Sequence, residues 1–173
     1  MAKILIFGNS SSGKSTLAQK IVKTYHFSPL DLDTIAWKPE LQNPQRRSFE
    51  DSCQDILDFT KDKSDWVMEG CYGDLISFIG NYCDRLIFLN PDIETCVQNC
   101  RQRPWESHKY DSLEAQNANL EMLVKWIKDY YIRDDEFSLS AHRQIFDSFK
   151  GKKVEYNHNW EEKEVFSWLN PLD

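Results

Sequence analysis

The chain has 173 residues, of which 40% are hydrophobic and 28% are charged, and these values predict one compact domain over residues 1–173 with a buried core. Its formal net charge of −7 argues against loose, sequence-independent binding to nucleic acid, because such binding needs a basic surface. The sequence shows no secretory signal peptide and no apolar run near the ~18 residues of a membrane span. We therefore expect a cytoplasmic protein with no membrane partner.

Strand and helix signals alternate along the chain. Short apolar runs that stop at turn residues predict five strands, over residues 3–8, 28–33, 65–70, 85–89 and 152–157. Apolar residues at helical spacing predict helices over 14–24, 47–61, 75–82, 91–103, 112–131 and 139–150, and a last helix that contains Val165 and Leu169. The alternation predicts an α/β fold, with a five-stranded parallel sheet and helices on both faces. In such sheets ligands bind beyond the carboxyl ends of the strands.

Several residues predict where these helices begin and end. Pro91 is expected to begin a helix, since a missing N–H costs least at that position, and Pro104 to end it. Residues 104–111 are expected to form a mobile loop. Gly151 is expected to cap the helix before it. Asn159 and Glu162 have the spacing of a capping box, with asparagine in the place of serine.

The segment GNSSSGKS connects the first predicted strand to the first predicted helix and fits GxxxxGK[ST] at every fixed position. Its glycines permit backbone angles and close approaches that a side chain would block, and its small residues let successive N–H groups face an anion. The positive end of the following helix adds to the attraction. The alternative is a chance match in a turn rich in serine and glycine, and the flanking strand and helix argue against it. The candidate ATP-binding residues are Gly8, Asn9, Ser10, Ser11, Ser12, Gly13, Lys14, Ser15 and Thr16.

The motif assigns roles to single side chains. Lys14 is predicted to act in catalysis by reaching the β- and γ-phosphates of ATP, and the Ser15 hydroxyl to coordinate Mg²⁺. Thr16 is expected on the α-phosphate side. Glu69, near the end of the apolar run WVMEG, is the candidate carboxylate for the same metal. The alternative for Glu69 is a polar residue at a strand end.

Several motifs together resemble one family. They are the glycine-rich loop within the first 16 residues, DLD near position 32, WVMEGCYGD, and DRLIFLNPDIETCVQNCRQRP. The chain is similar in these blocks to the adenylate kinase-related P-loop kinases, and among them most to the proteins labelled DNA topology modulation protein. The resemblance implies a nucleoside monophosphate kinase-like core with a five-stranded parallel sheet. It also implies a substrate-binding segment after the second strand, an arginine-bearing lid, and transfer of the ATP γ-phosphoryl group to a small acceptor.

Two departures from that family concern the acceptor. Adenylate kinases proper have DGFPR where this chain has EGCYG, from Glu69 to Gly73, so the arginine that would grip a nucleoside monophosphate is missing there. The lid, around residues 101–115, is also short. Both differences argue against AMP as the acceptor.

Three arginines are candidate catalytic residues of the lid. Arg101 and Arg103 lie at the end of a predicted helix and flank the predicted loop, and Arg133 follows the next long helix. Arginines placed there could close over the transferring phosphate and exclude water, since phosphoryl transfer depends on charge neutralisation and positioning. The alternative is that they are solvated surface charges.

Asp33 is the candidate catalytic carboxylate for the acceptor, with Asp31 beside it. The resemblance to the related shikimate kinases implies that an aspartate in this region holds the acceptor hydroxyl, and a carboxylate there can accept its proton. The alternative is an aspartate that caps the next turn. Trp37 and Tyr72 are expected near the same cleft, where they would either stack on a substrate ring or pack as core.

These observations favour a Mg-ATP-dependent phosphotransferase that acts on a small-molecule or nucleotide acceptor. The alternative is an ATP-hydrolysing switch that acts through a partner or DNA. A regulatory GTPase is excluded, because neither NKxD nor a DxxG switch occurs in the sequence. The acidic composition argues against a nucleic-acid partner. The residues do not identify the acceptor.

Overall fold

The computed structural model describes residues 1–38, 45–105 and 111–170. Within them, five strands form one sheet in the order β2-β3-β1-β4-β5, and every neighbouring pair is parallel. This arrangement confirms the predicted fold class. The strands are β1 (Lys3–Gly8), β2 (Ser28–Asp31), β3 (Trp66–Gly70), β4 (Arg85–Leu89) and β5 (Lys152–Tyr156).

Helices connect the strands and cover both faces of the sheet. They are α1 (Lys14–Tyr25), α2 (Asp33–Ala36), α3 (Phe49–Thr60), α4 (Gly73–Ile79), α5 (Ile93–Gln102), α6 (Leu113–Ala118), α7 (Leu120–Lys128), α8 (Leu139–Ser148) and α9 (Glu162–Leu169). A 3-10 turn over Asp129–Tyr131 follows α7. In the described ranges, no helix combines the length and the apolar character needed to cross a bilayer.

The central strand β1 contributes to the two large cores that flank the sheet. Leu5 and Phe7 point to a core that includes residues of α3, α4 and α8, whereas Ile4 and Ile6 point to a core that includes residues of α1 and α9. Alternate residues of a strand face opposite sides of the sheet, so burial on both sides requires consecutive apolar residues. This double burial explains the uninterrupted apolar run at the start of the sequence.

The predicted helix over 112–131 is wrong as one element. It is divided at Asn119 into α6 and α7, and the 3-10 turn follows. Asn119 donates its side-chain amide to the Ala115 carbonyl at 3.1 Å, and its backbone N–H bonds to Gln116 at 3.2 Å. Asparagine side chains compete in this way with the regular helical ladder.

The predicted helices over 47–61 and 75–82 are observed as Phe49–Thr60 and Gly73–Ile79. Three predicted starting or capping residues also differ from the observed ones. The helix after β4 begins at Ile93 rather than Pro91, because the Asp92 carboxylate accepts the N–H of Thr95 at 2.7 Å. Helix α8 ends at Ser148 with Phe149 extended, so Gly151 is not its cap. Helix α9 has its capping box at Glu161 and Glu164 instead of Asn159 and Glu162. Of the predicted loop and lid, residues 106–110 lie outside the described residues.

A buried histidine of α8 joins that helix to the segment after β3. The Nε2 atom of His142 lies 2.9 Å from the carbonyl oxygen of Cys71, and Nδ1 lies 2.8 Å from the Tyr130 hydroxyl. Since a carbonyl can only accept, Nε2 carries the hydrogen, and in the neutral ring Nδ1 accepts from Tyr130. Burial lowers the pKa of His142 to about 4.

We expect His142 to make the fold sensitive to mild acid. In the unfolded chain the imidazole takes up a proton near its ordinary pKa of 6.5, whereas the folded protein keeps it neutral down to about pH 4. Protons therefore favour the unfolded state, and the free energy of unfolding should fall by up to about 3 kcal/mol as the pH drops through that window.

Urea unfolding measured from pH 8 to pH 4 tests this expectation. The control is His142→Gln, which should be less stable at pH 8 and should lose less stability than the parent as the pH falls. Equal pH dependence in the two proteins would contradict the assignment.

Candidate active site

The turn between β1 and α1 is closed by two glycines with positive φ. Gly8 has φ 148°, and a Cβ atom there would lie 2.0 Å from the carbonyl oxygen of Leu89. Gly13 has φ 93°, and its Cβ would lie 2.8 Å from Nε1 of Trp160. No side chain fits either position. The turn therefore has the tight, glycine-dependent geometry that the sequence motif predicts.

Contacts from three other parts of the chain hold this loop. The Asn9 side chain is buried and donates from Nδ2 to the Ile127 carbonyl of α7 at 3.1 Å. Asn99 of α5 donates to the Ser11 carbonyl at 3.0 Å, and Trp160 donates to the Gly13 carbonyl at 3.3 Å. Asn99 and Trp160 lie far from the motif in sequence, and no local pattern marked them as part of the site.

Polar groups of the loop fit a polyphosphate. The Lys14 ammonium is directed across the loop and donates to the Asn9 carbonyl at 2.7 Å. The hydroxyl oxygens of Ser11 and Ser12 are buried, and neither has a hydrogen-bond partner in the described part of the chain. A buried hydroxyl without a partner costs free energy, which hydrogen bonds to phosphate oxygens would offset.

Ser15 and Glu69 are brought together from α1 and β3. The Ser15 hydroxyl donates to Oε1 of Glu69 at 2.5 Å. Burial raises the pKa of Glu69, while the Lys14 charge opposes the shift. A hydroxyl and a carboxylate oxygen suit Mg²⁺, which usually keeps water and phosphate as its other ligands. This pair of donors fits the predicted metal site. A metal site of a different kind, built from three or more His, Cys, Asp or Glu side chains, is not found over the described ranges.

Asp33 lies at the start of α2, directly after β2, and its side chain is exposed. The Tyr72 hydroxyl donates to Oδ1 of Asp33 at 2.5 Å and accepts from Nε1 of Trp37 at 2.6 Å. The neighbouring Asp31 accepts the backbone N–H of Asp33 at 2.9 Å. The local turn is thus capped by Asp31, and the Asp33 carboxylate is oriented by Tyr72 instead.

Comparisons with known proteins identify the fold. The solved structure of deoxyadenosine kinase from M. mycoides with bound dATP aligns with a TM-score of 0.54 at 16% sequence identity, over 97% of this chain and 99% of that chain. The chain has the fold of a P-loop kinase. No protein-family model and no curated protein matches the sequence. The narrower resemblance to the DNA topology modulation proteins therefore stays a prediction.

The sequence analysis did not identify Arg46 as a residue near the candidate site. Its guanidinium lies 4.6 Å from the ring centroid of Tyr72, and its Nη2 atom donates to Asp74 at 2.9 Å. An isolated antiparallel bridge between Trp37 and Arg46 brings the two residues side by side. Tyr72 is only 3% exposed, so its ring is packed rather than open for stacking. Arg46 belongs to no motif, and only the folded chain shows that it contacts Tyr72, whose hydroxyl bonds to Asp33.

The three predicted lid arginines have different surroundings. Arg101 is exposed in the last turn of α5, and Arg103, half-buried, directly follows that helix. Arg133 is held by Asp135 through two hydrogen bonds of 2.7 and 2.5 Å, and its guanidinium lies 3.6 Å from the Trp126 ring centroid. Their catalytic roles stay predictions.

We expect Lys14→Ala to weaken nucleotide binding at least about tenfold, because the variant removes the ammonium that is predicted to contact the phosphates. Calorimetric titration with a non-hydrolysable ATP analogue and Mg²⁺ measures the effect. The matched control is Lys20→Ala, because Lys20 lies on the same helix and forms a surface ion pair with Glu162. Unchanged affinity in Lys14→Ala would show that this loop is not the nucleotide site.

Proposed function

We propose that this protein is an ATP- and Mg²⁺-dependent phosphotransferase that transfers the γ-phosphoryl group to a hydroxyl of a small acceptor. One observation carries the proposal. The loop after β1, Glu69 near the end of β3, and Asp31 and Asp33 at the end of β2 all lie at the same edge of the sheet. The strand register shows this, because Glu69 pairs with Ile6 on one side and with Asp31 on the other. Phosphate, metal and acceptor groups are thereby neighbours.

The side chains suggest how the reaction proceeds. The loop amides and Lys14 would bind the β- and γ-phosphates and offset their charge. Ser15 and Glu69 would hold Mg²⁺, which when bound neutralises charge on the phosphate oxygens. Asp33 would take the proton of the acceptor hydroxyl while that oxygen forms a bond to the γ-phosphorus. The bond from the γ-phosphorus to the β–γ bridging oxygen breaks, and ADP leaves.

The solved structure supports this proposal at the level of the fold. That protein is named as a deoxyadenosine kinase and binds dATP. A kinase on the same fold is consistent with phosphotransfer to a hydroxyl.

We expect Asp33→Asn to lower kcat by about 10²-fold or more, because the amide cannot accept the acceptor's proton. The measurement is ADP release with a screen of nucleosides, nucleotides and hydroxylated metabolites, with free phosphate followed in parallel. Asp62→Asn is the control, since Asp62 is exposed ahead of β3 at the opposite edge of the sheet. Full turnover in Asp33→Asn would exclude the role assigned to this residue.

The same assay separates phosphotransfer from a hydrolytic switch. Acceptor-dependent ADP release, with phosphate recovered on the acceptor, is the outcome expected of a kinase. Release of inorganic phosphate at the same rate with or without every acceptor, while ATP binds normally, would contradict the proposal.

We expect Arg103→Ala to reduce kcat while leaving nucleotide affinity nearly unchanged, because a lid arginine acts on charge that develops in the transition state. Arg103→Lys keeps the positive charge and should lose less activity. Steady-state kinetics together with the nucleotide titration distinguish the two parameters. If Arg103→Ala turns over at the parent rate, Arg103 is a surface charge.

A further inference from the structure

Ser11, in the loop between β1 and α1, has a left-handed backbone conformation with φ 59°. A side chain makes this conformation unfavourable, because its Cβ atom comes too close to the following carbonyl oxygen. Among the described residues other than glycine, His26 also has a positive φ, but it follows the end of α1, where such a cap is common. Ser11 ends no helix, so contacts from elsewhere must hold its conformation.

Asn99 of α5 supplies such a contact. Its half-buried side chain donates from Nδ2 to the Ser11 carbonyl at 3.0 Å and to Oδ1 of Asn159 at 2.8 Å. The two hydrogens of the amide thus have one acceptor each, which fixes the plane of the amide. The helix that carries it is firmly packed, since Cys96 and Cys100 on either side of Asn99 are buried. Asn99 therefore holds the Ser11 carbonyl from a rigid support.

This hydrogen bond sets the direction of the peptide unit between Ser11 and Ser12. In a planar trans peptide the C=O and the N–H point in opposite directions. With the Ser11 carbonyl held toward α5, the Ser12 N–H faces the interior of the loop. There its nitrogen lies 3.4 Å from the Asn9 carbonyl oxygen, at the long end of the hydrogen-bond range, whereas the Lys14 ammonium lies 2.7 Å from the same oxygen. The Ser12 N–H is thus turned toward the space that we assign to phosphate.

We propose that Asn99 is a positioning residue for the nucleotide, which acts by keeping Ser11 in the left-handed conformation. The proposal rests on the phosphotransferase function proposed above, in which this loop binds the phosphates. Without the Asn99 bond, Ser11 would relax toward negative φ and turn the Ser12 N–H away. Only a fraction of the molecules would then be ready to bind, and the apparent affinity would fall by that fraction.

The first test removes the donor without adding a charge. Asn99→Leu has nearly the size of the parent side chain, and we expect it to bind the non-hydrolysable ATP analogue with Mg²⁺ at least about fivefold more weakly. The measurement is calorimetric titration of the intact protein. The control is Gln98→Leu, since Gln98 is the exposed neighbour on the same helix, and its affinity should stay within about twofold of the parent's. Asn99→Ala replaces Asn99→Leu throughout if that variant fails to unfold cooperatively in urea.

Rescue by glycine then separates positioning from any other role of Asn99. The loss caused by Asn99→Leu is measured in three backgrounds, namely the parent, Ser11→Ala and Ser11→Gly. Alanine lacks the hydroxyl but keeps the Cβ atom, so the loss should again be at least about fivefold. Glycine adopts positive φ without strain, so in that background the loss should shrink to about twofold or less. An equal loss in all three backgrounds would show that Asn99 does not act through the conformation of Ser11, and would overturn the proposal.

Failure of this proposal differs from failure of the proposed function. Parent-like affinity in Asn99→Leu overturns the role of Asn99 and leaves the phosphotransferase in place. Absence of nucleotide binding by the parent protein contradicts the phosphotransferase itself, and the role of Asn99 with it.

Discussion

The carboxyl end of β1 passes so close to the Leu89 carbonyl of β4 that only glycine fits at position 8. This contact fixes the point at which the chain leaves the sheet, and α1 begins six residues later at Lys14. The positions of Lys14 and Ser15 follow from it, because both lie in the first turn of that helix. The geometry of the turn between β1 and α1 is therefore set by the packing of two central strands as well as by its own residues.

The electrostatic balance at this edge of the sheet involves three carboxylates and one ammonium group. The charges of Asp31 and Asp33 add to burial in raising the pKa of Glu69, and Lys14 counteracts them. Carboxylates gathered at one edge attract cations and repel bare phosphate. A magnesium-bound polyphosphate would suit such a site better than a free anion, and the partly buried Ser15–Glu69 pair is the metal site that we propose.

The sequence predicted those features that depend on adjacent residues. The buried strand β1, the glycine loop and the start of α1 form one continuous signal, so their boundaries needed no tertiary information. Asn119, Phe149 and Glu161 set helix ends through side-chain and backbone contacts that periodicity does not detect. Arg46, Asn99 and Trp160 reach the site from distant parts of the chain. Such long-range contacts have no local pattern, so only the folded chain shows them.

The loop is bonded to two helices that also pack on each other. Asn99 of α5 and the Ile127 carbonyl of α7 both bind it, and Cys96, Val97 and Cys100 of α5 share a small apolar cluster with Val124 and Ile127 of α7. Loosening of this helix pair on heating would therefore disturb the loop that we propose binds phosphate. Heat inactivation would then begin as a local event, with activity disappearing while the main sheet is still intact.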